Sequence, residues 1–192
     1  MTATTQPVIR QRYDTFTLAL HWITAASVIF LFASAHFWVL LEPGTPLRKG
    51  LQAIHISCGI LLALVMIVRL LWRLLSQHSA RFSMPPVEGA RPVKLLAHGM
   101  HVALYLLLFA QIVLGFLFRW SQQEPFQFFG LFELSGWVTI ASTLRHTLAV
   151  WHGNVAWALI ILASAHAIAA LYHHYLLRDN VLRRMLPGRA FR

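Results

Sequence analysis

Acidic side chains are scarce in this chain of 192 residues, where Asp and Glu together number six against sixteen Lys and Arg. Charged residues of both signs make up only 11% of the sequence, whereas apolar residues make up 58%. The mean hydropathy is +0.62. A soluble domain carries about 25% charged residues, so this composition excludes a soluble globular domain and places the chain in a lipid bilayer.

Cysteine and strand-like patterns are also lacking. The single Cys58 cannot form an intramolecular disulfide, and it says nothing about the redox compartment. No alternation of apolar and polar residues over about ten positions recurs, which excludes a membrane barrel of β-strands. Internal repeats and low-complexity tracts are absent as well, so residues 1–192 are predicted to form a single domain.

Four long apolar runs are present instead. A helix needs about 20 residues to cross the roughly 30 Å hydrocarbon layer, and backbone polar groups in lipid must be satisfied within the protein. Four segments meet that length, at about residues 16–40, 51–75, 95–119 and 144–176. The predicted fold is all-α, an integral membrane four-helix bundle.

Basic residues are unevenly distributed between the two sides of this predicted bundle, and the formal net charge is +10. One side carries only Arg48, Lys49, Arg119 and Arg145. The other side carries twelve basic residues: Arg10, Arg12, Arg69, Arg73, Arg81, Arg91, Lys94, Arg178, Arg183, Arg184, Arg189 and Arg192. Positive charge collects on the cytoplasmic side of membrane proteins, so both termini are predicted to be cytoplasmic. The loops are too short to form a basic face for nucleic acid.

Histidines occur inside the predicted spans, where polar groups are expensive and by default mark function. His21 lies about 9 Å from the cytoplasmic start of the first span, and His55 lies shallowly below the outer face. In the fourth span, His152 and His166 are fourteen residues apart, or about 21 Å, and they point from nearly one helix face. These positions predict two levels of imidazoles in the membrane.

Two imidazoles at each level suit haem better than a bare metal ion. A structural zinc site takes four ligands, typically with Cys or carboxylates among them, whereas haem needs only one or two axial ligands. A haem with two axial His has no open position, which favours electron transfer over oxygen binding. Small residues beside these histidines would leave space for a macrocycle, although close packing of membrane helices also explains them. A His-lined transporter of a metal ion is the alternative.

Arg69 is a charged residue inside the predicted second span, fourteen residues after His55 and therefore at the depth of the inner level. Two roles are open for it. Its guanidinium would pair with a propionate of an inner haem, or it would extend along the helix to the cytoplasmic headgroups.

Several motifs together resemble the bacterial cytochrome b561 family of four-helix dihaem membrane proteins. They are "LALHWIT" in the first span, "AIHISCGI" and "VRLLWRL" in the second, and "WHGN" and "SAHAIAALYHHYLLRDNVLRRMLP" in the fourth. The resemblance covers nearly the whole chain. It implies His21 and His166 as ligands of an inner haem b, and His55 and His152 as ligands of an outer haem b.

The closest likeness within that family is to superoxide oxidases of the bacterial inner membrane, which oxidise superoxide outside and reduce ubiquinone. Trp151 next to His152 matches a Trp-His pair near which a quinone is expected to bind. The alternative function is electron transfer between the quinone pool and another redox protein.

The remaining histidines have less definite roles. His36, fifteen residues after His21, could reach the outer level, but its predicted place is the interface beside Trp38. The resemblance implies that His98 and His101 lie near the inner level as partners of the ligands or of a propionate, without binding iron. His146 and Arg145, at the outer start of the fourth span, would attract an anion, hydrogen-bond a quinone or anchor the helix end. The aromatic loop at 121–145 is predicted to lie in the interface and to cap the bundle.

Overall fold

The four predicted spans are four long α-helices in the computed structural model, which describes residues 12–77, 91–134 and 138–186. Each is long and apolar enough to cross a membrane, which confirms the predicted helical membrane bundle. The helices are α1 (Thr15–Val39), α2 (Pro46–Gln77), α3 (Arg91–Ser121) and α4 (Arg145–Tyr175). One short 3₁₀ turn, Ser142–Leu144, precedes α4, and another, Arg183–Met185, lies near the end of the described chain.

The helices begin where local capping chemistry favours it. Asp14 is the N-cap of α1, and its carboxylate accepts a hydrogen bond from the Thr17 backbone N–H at 2.9 Å. Helix α2 begins at Pro46, five residues before the predicted start, because proline fits the first turn of a helix, where its missing N–H is not needed. Helices α2 and α3 are thus longer at both ends than the predicted spans 51–75 and 95–119, which were based on the thickness of the hydrocarbon layer.

Helix α1 packs along α2 and α3 packs along α4, and contacts between these two helix pairs are less extensive. We call the end of the bundle that carries Val39, Pro46 and Ser121 the hairpin end. The opposite end, which carries Asp14 and residues 176–186, is the terminal end.

Halfway along the bundle, buried aliphatic side chains of three helices form a central apolar layer, made of Leu62, Met66, Leu108 and Leu159. Leu62 is seven residues after His55, and Leu159 is seven residues after His152 and seven before His166. Seven residues are two helical turns, so the layer lies between the two levels of histidines. Partly buried residues pack around it: Val28, Leu31, Leu104, Tyr105, Leu107 and Ile112.

The loop at 121–145 contains a β-hairpin that the sequence analysis did not predict. Strands β1 (Phe126–Phe128) and β2 (Phe132–Leu134) are antiparallel, with Gln127 opposite Glu133. Phe126 is buried against the bundle, so the hairpin covers part of the hairpin end as expected of a cap. Trp137, another aromatic residue of this loop, lies outside the described residues.

A buried serine of α2 attaches the β-hairpin to the bundle. Ser57 has no exposed surface, and its Oγ lies 2.8 Å from the Ala53 carbonyl oxygen and 3.0 Å from that of Gln127. The same Oγ accepts a hydrogen bond from the Phe129 N–H at 2.9 Å. Phe129 has a φ of 48°, in the left-handed region that costs a residue with a Cβ about 1 kcal/mol. Ser57 therefore holds a strained turn in place.

Replacing Ser57 by alanine should loosen the β-hairpin while the helices remain folded. The substitution leaves the Phe129 N–H and the Gln127 carbonyl without this partner, at a cost of about 2 kcal/mol. Hydrogen exchange of the Phe129 amide should accelerate by at least tenfold, and the thermal midpoint in detergent should fall. Ser164→Ala, at an exposed position of α4, is the control. Unchanged exchange at Phe129 in Ser57→Ala would show that Ser57 does not hold the turn.

At the terminal end, the chain after α4 returns to the start of α1. Arg12 Nη2 donates hydrogen bonds to the carbonyls of Arg183 and Leu186, and Trp22 Nε1 donates to the Met185 carbonyl at 2.7 Å. Partial burial by itself would raise the pKa of Asp179, but hydrogen bonds from His173 and the Val181 N–H hold that pKa below its usual value. Four basic residues of the charge analysis lie outside the described ranges: Arg10, Arg81, Arg189 and Arg192.

Candidate functional site

Two pairs of imidazoles face each other across the space between the helix pairs. At the hairpin end, the ring centroids of His55 on α2 and His152 on α4 are 6.5 Å apart. At the terminal end, those of His21 on α1 and His166 on α4 are 6.4 Å apart. Helix α4 thus contributes one histidine to each pair, and its partners come from the α1/α2 pair.

The spacing within each pair fits one metal ion held between two imidazoles. A metal–imidazole nitrogen bond is about 2 Å long, so two rings bound on opposite sides of one metal have centroids roughly 6 Å apart. Within residues 12–77, 91–134 and 138–186, no group of three or more His, Cys, Asp or Glu side chains is placed to hold a metal ion. Two axial nitrogens are what a haem needs from the protein, because its porphyrin supplies four more. The residues present therefore fit haem at both places.

The hairpin-end pair is positioned by side chains from α1 and α3. The Trp38 ring packs edge-on against His55 with centroids 4.9 Å apart, and Ser34 Oγ lies 3.1 Å from His55 Nδ1. Across the pair, Gln111 Nε2 lies 3.2 Å from His152 Nε2. His152 Nδ1 is buried and has no hydrogen-bond partner in the described part of the chain.

A glycine of α3 gives His152 its space. A Cβ at Gly115 would lie 3.2 Å from His152 Cε1, which is tighter than ordinary van der Waals contact. Gly115 is seven residues after the buried Leu108, so it lies on the side of α3 that faces the bundle. The absence of a side chain at this position allows the imidazole to lie against the α3 backbone.

The terminal-end pair lies among cations and aromatic rings. Arg69 Nη2 is 3.2 Å from His21 Nδ1, and the Arg69 guanidinium also lies over the Tyr105 ring, 5.1 Å from its centroid. Arg73 lies over the same ring at 5.4 Å. Of the two roles open for Arg69, the structure shows a guanidinium directed into the bundle. The His101 ring is 5.2 Å from that of His166, close to the predicted level.

The other histidines lie apart from the two pairs. His36 packs against Phe32 and Trp157, with ring centroids 4.2 Å and 5.2 Å away, and not against Trp38, while its place in the interface stays a prediction. The reason is that Trp38 is two residues further along α1, about 200° around the helix, where it contacts His55 instead. His98 is exposed on α3, near the start of that helix.

A cavity of about 440 Å³ opens at the hairpin end, lined by Phe118, Ser142, Thr143, Arg145, His146 and Ala149. Arg145, Ala149 and His152 share one face of α4 because they are spaced by four and three residues. Trp151 does not line this cavity. Trp151 is one residue before His152, and successive helix residues point about 100° apart, so its side chain is directed away from this face and is 57% exposed.

The contacts of Ser34, Gln111 and Gly115 with the paired histidines are among those that were not predicted. The sequence contains a signal for one of them, because Gln111 is a polar side chain in the middle of an apolar span, which by default marks a functional position. Ser34 and Gly115 carry no such signal, since small residues are common wherever membrane helices pack closely.

Comparison with known proteins identifies relatives that match nearly the whole chain. The family model of prokaryotic cytochrome b561 matches residues 12–188. The chain is 32% identical over 177 residues to cytochrome b561 homolog 2 of Escherichia coli (strain K12), covering 92% of both chains. It is 29% identical over 183 residues to a probable superoxide oxidase, CybB, of Yersinia pestis, covering 93% of this chain and 98% of that one. Cytochrome b561 homolog 1 of the same Escherichia coli strain is also 29% identical, over 93% of this chain and 98% of the relative.

The family match spans all four helices and both pairs of imidazoles. Bacterial relatives and four spanning helices identify a multi-pass protein of the bacterial inner membrane. The chain belongs to the prokaryotic cytochrome b561 family, whose members bind haem b and transfer electrons in the membrane.

Proposed function

We propose that the chain holds two haem b groups, one between His55 and His152 and the other between His21 and His166. The observation that carries the proposal is the pair of matched centroid separations, 6.5 Å and 6.4 Å, on helices of a family that binds haem b. His152 and His166 are fourteen residues apart on α4, so the two places lie about 21 Å apart along the helix. This arrangement suits a relay of electrons between two depths of the bilayer.

The chain's own residues would fix the cofactors and exclude other chemistry. A bound haem supplies reversible one-electron exchange between ferric and ferrous iron. Two imidazoles would hold each haem from the protein, and a haem held in this way would favour electron transfer over oxygen binding. Arg69 is the proposed partner of a propionate at the terminal end, because its guanidinium lies beside His21 and binds carboxylates well.

Orientation follows from the distribution of basic residues. With the terminal end in the cytoplasm, eight of the twelve Lys and Arg side chains that the structure describes lie toward that side, as the positive-inside rule requires. Both termini are then cytoplasmic, and the pair His55–His152 lies near the outer face. The β-hairpin and the cavity at Arg145 and His146 also face outward.

The proposed reaction oxidises superoxide at this outer face and reduces ubiquinone. Two superoxide anions each lose one electron and leave as two molecules of dioxygen, and ubiquinone takes up the two electrons with two protons from water to give ubiquinol. The name of the Yersinia pestis relative supports superoxide as the donor. Charge supports it as well: Arg119 is neutralised by an ion pair with Glu124, whereas Arg145 makes no ion pair with any residue that the structure describes. A free cation at the cavity would attract an anion.

We assign the cavity to the ubiquinone head group. Ligand cavities of this kind are mainly apolar with a few polar groups, and this one has Phe118 and Ala149 beside Arg145 and His146. Replacing both Arg145 and His146 by leucine, which has no donor, should raise the KM for a short-chain ubiquinone about tenfold, because a hydrogen bond to the quinone carbonyl is lost, at about 1.4 kcal/mol. The haem content should stay the same. Steady-state quinone reduction and an absorbance spectrum measure both quantities.

Trp151 provides the comparison for that experiment, since its exposed indole is the second proposed place for a quinone. Trp151→Phe should change the KM for quinone less than the double variant does. A large increase of the KM for quinone in Trp151→Phe, together with an unchanged KM in the double variant, would place the quinone at Trp151. Lys49→Gln, which removes an exposed hairpin-end cation outside the cavity lining, is the control for a general loss of positive charge.

The reaction itself is tested with purified protein in detergent. Superoxide generated enzymatically should reduce the haems and drive the reduction of added ubiquinone, and superoxide dismutase should abolish both. If quinone is not reduced under these conditions, superoxide is not the donor. The second candidate function is electron exchange between the quinone pool and another redox protein, in keeping with relatives named only as cytochrome b561 homologs. Haem reduction by ubiquinol and copurification of a redox protein would support it.

A further inference from the structure

The terminal end carries positive charge that its acidic residues do not balance. Eight Lys and Arg residues of the described chain lie toward this end, against two carboxylates, those of Asp14 and Asp179. Both carboxylates are engaged within the protein, because Asp14 accepts a hydrogen bond from the Thr17 N–H and Asp179 pairs with His173. At the hairpin end, four cations of the described chain meet three carboxylates. The excess of positive charge therefore belongs to one end of the bundle.

Arg91 at the start of α3 and Leu176 just after α4 lie at one depth. The rings of His101 on α3 and His166 on α4 are 5.2 Å apart, and Arg91 precedes the first by ten residues as Leu176 follows the second by ten. Both therefore lie about 15 Å beyond these rings. The ring level itself is about 9 Å inside the start of α1, the distance from there to His21. Arg91 thus lies about 6 Å outside the hydrocarbon, in the headgroup layer.

The chain after α4 stays near this depth instead of leaving the bundle. It turns at Arg178, which has a φ of 55°. It then returns to α1, where Trp22 Nε1 donates a hydrogen bond to the Met185 carbonyl at 2.7 Å. Residues 176–186 therefore cross the end of the bundle, which keeps Arg178 and Arg183 close to the headgroup layer.

Four cations at this depth are exposed, and so are apolar side chains beside them. Arg91, Lys94, Arg178 and Arg183 form no ion pair with an acidic side chain inside the described ranges. The exposed apolar neighbours are Leu95, Leu96, Tyr175, Leu176 and Leu177. A phospholipid satisfies both kinds of group at once, because its acyl chains cover leucines while its phosphate meets Lys and Arg. An acidic soluble protein would meet the cations and leave the leucines to be covered by something else.

We propose that the terminal end is a binding surface for anionic phospholipids, in which Arg91, Lys94, Arg178 and Arg183 hold the headgroup phosphate. Guanidinium and ammonium groups bind phosphate through charge-assisted hydrogen bonds. Each basic residue near an anionic lipid surface raises the affinity about fivefold. This surface involves neither the paired histidines nor the cavity at the hairpin end, so its test is independent of the proposed reaction.

The test is native mass spectrometry of the purified protein with its bound haem, which counts bound lipid molecules and gives their Kd. Phosphatidylglycerol should bind the wild type at least about tenfold more tightly than phosphatidylcholine, which has no net charge. The double variant with Arg178→Gln and Arg183→Gln should bind phosphatidylglycerol about thirtyfold more weakly and phosphatidylcholine equally well. The matched control, Arg48→Gln with Lys49→Gln, removes two cations of the hairpin end and should weaken phosphatidylglycerol by less than about threefold.

Equal affinities of the two lipids for the wild type would overturn the proposal, as would equal weakening in the two double variants. Displacement of phosphatidylglycerol by millimolar inorganic phosphate would show that the site takes a free anion and not a lipid. If the terminal-end variant does not fold, the wild type alone is sufficient. Raising the ionic strength from about 0.1 M to about 0.5 M shortens the Debye length from about 10 Å to about 4 Å and should weaken phosphatidylglycerol about tenfold. Binding that does not change with salt would contradict the proposal.

Discussion

Alanine at His55 should halve the haem content of the purified protein, from two haems per chain to one. The ring of His55 faces that of His152 at 6.5 Å, and no other histidine of the described chain is placed to replace it in that pair. His152→Ala should have the same effect. The haem that remains should give a normal reduced spectrum, because His21 and His166 lie about 21 Å away along the helices. A pyridine haemochrome assay and the reduced-minus-oxidised spectrum measure both outcomes.

Two other histidines provide matched controls for this experiment. His36 also lies near the hairpin end, but its ring packs against Trp157, and His98 is exposed on α3. Alanine at either position should leave two haems. If His36→Ala loses a haem and His55→Ala does not, the assignment of the hairpin-end pair is wrong. His21→Ala and His166→Ala should each remove the other haem, whose spectrum can then be identified by difference.

Valine at Gly115 should remove the hairpin-end haem without removing any ligand. Even the first carbon of a side chain would lie 3.2 Å from His152 Cε1, and the branches of valine would extend further toward the ring. The imidazole must then turn or α3 must move, and overpacking of this kind costs about 1–3 kcal/mol. Haem content should fall from two towards one. Gly115→Ala should have a smaller effect, because a shift of a few tenths of an ångström accommodates one methyl group.

Gly99 offers the control on the same helix. A Cβ at Gly99 would meet nothing within 4 Å, so Gly99→Val should keep both haems and change the thermal midpoint only through helix propensity. Equal haem loss in the two valine variants would point to a general defect of α3. Retention of two haems in Gly115→Val would show that His152 does not depend on this close approach.

The depth of the histidine pairs along the helices could be predicted from the sequence. His152 and His166 are fourteen residues apart in one apolar run, so their shared face and their separation follow from helix geometry. Arg69, fourteen residues after His55, was placed at the level of the terminal-end pair in the same way, and the structure places its guanidinium 3.2 Å from His21 Nδ1. Spacing along one helix is therefore readable from the sequence.

The rotation of each helix about its own axis could not be predicted from the sequence. Lipid-facing side chains are as apolar as those between helices, so the pattern does not show which side of a span faces the bundle. His36 was placed beside Trp38 because they are neighbours in the sequence, whereas the structure directs them to different partners, Trp157 and His55. The contact between Gly115 and His152 could not be predicted for a similar reason, since it depends on how closely α3 approaches α4.

The β-hairpin shows a different limit. Its strands are three residues each, too short for a recognisable alternation, and its turn is held by Ser57, which is 72 residues away from Phe129 in the sequence. Aromatic content correctly indicated a segment at the end of the bundle. The strand pairing depends on a contact between distant parts of the chain.

The central apolar layer makes any electron that crosses it sensitive to membrane voltage. Leu62, Leu108 and Leu159 carry no protons and attract no water, so the negative charge moves alone. A unit charge that crosses the whole bilayer changes in energy by about 2.3 kcal/mol per 100 mV, and a step of about 21 Å through roughly 30 Å of hydrocarbon experiences about two thirds of that. With the terminal end inside an energised, interior-negative cell, electrons are pushed back toward the outer face, and the fraction held there should rise as the cell becomes more polarised.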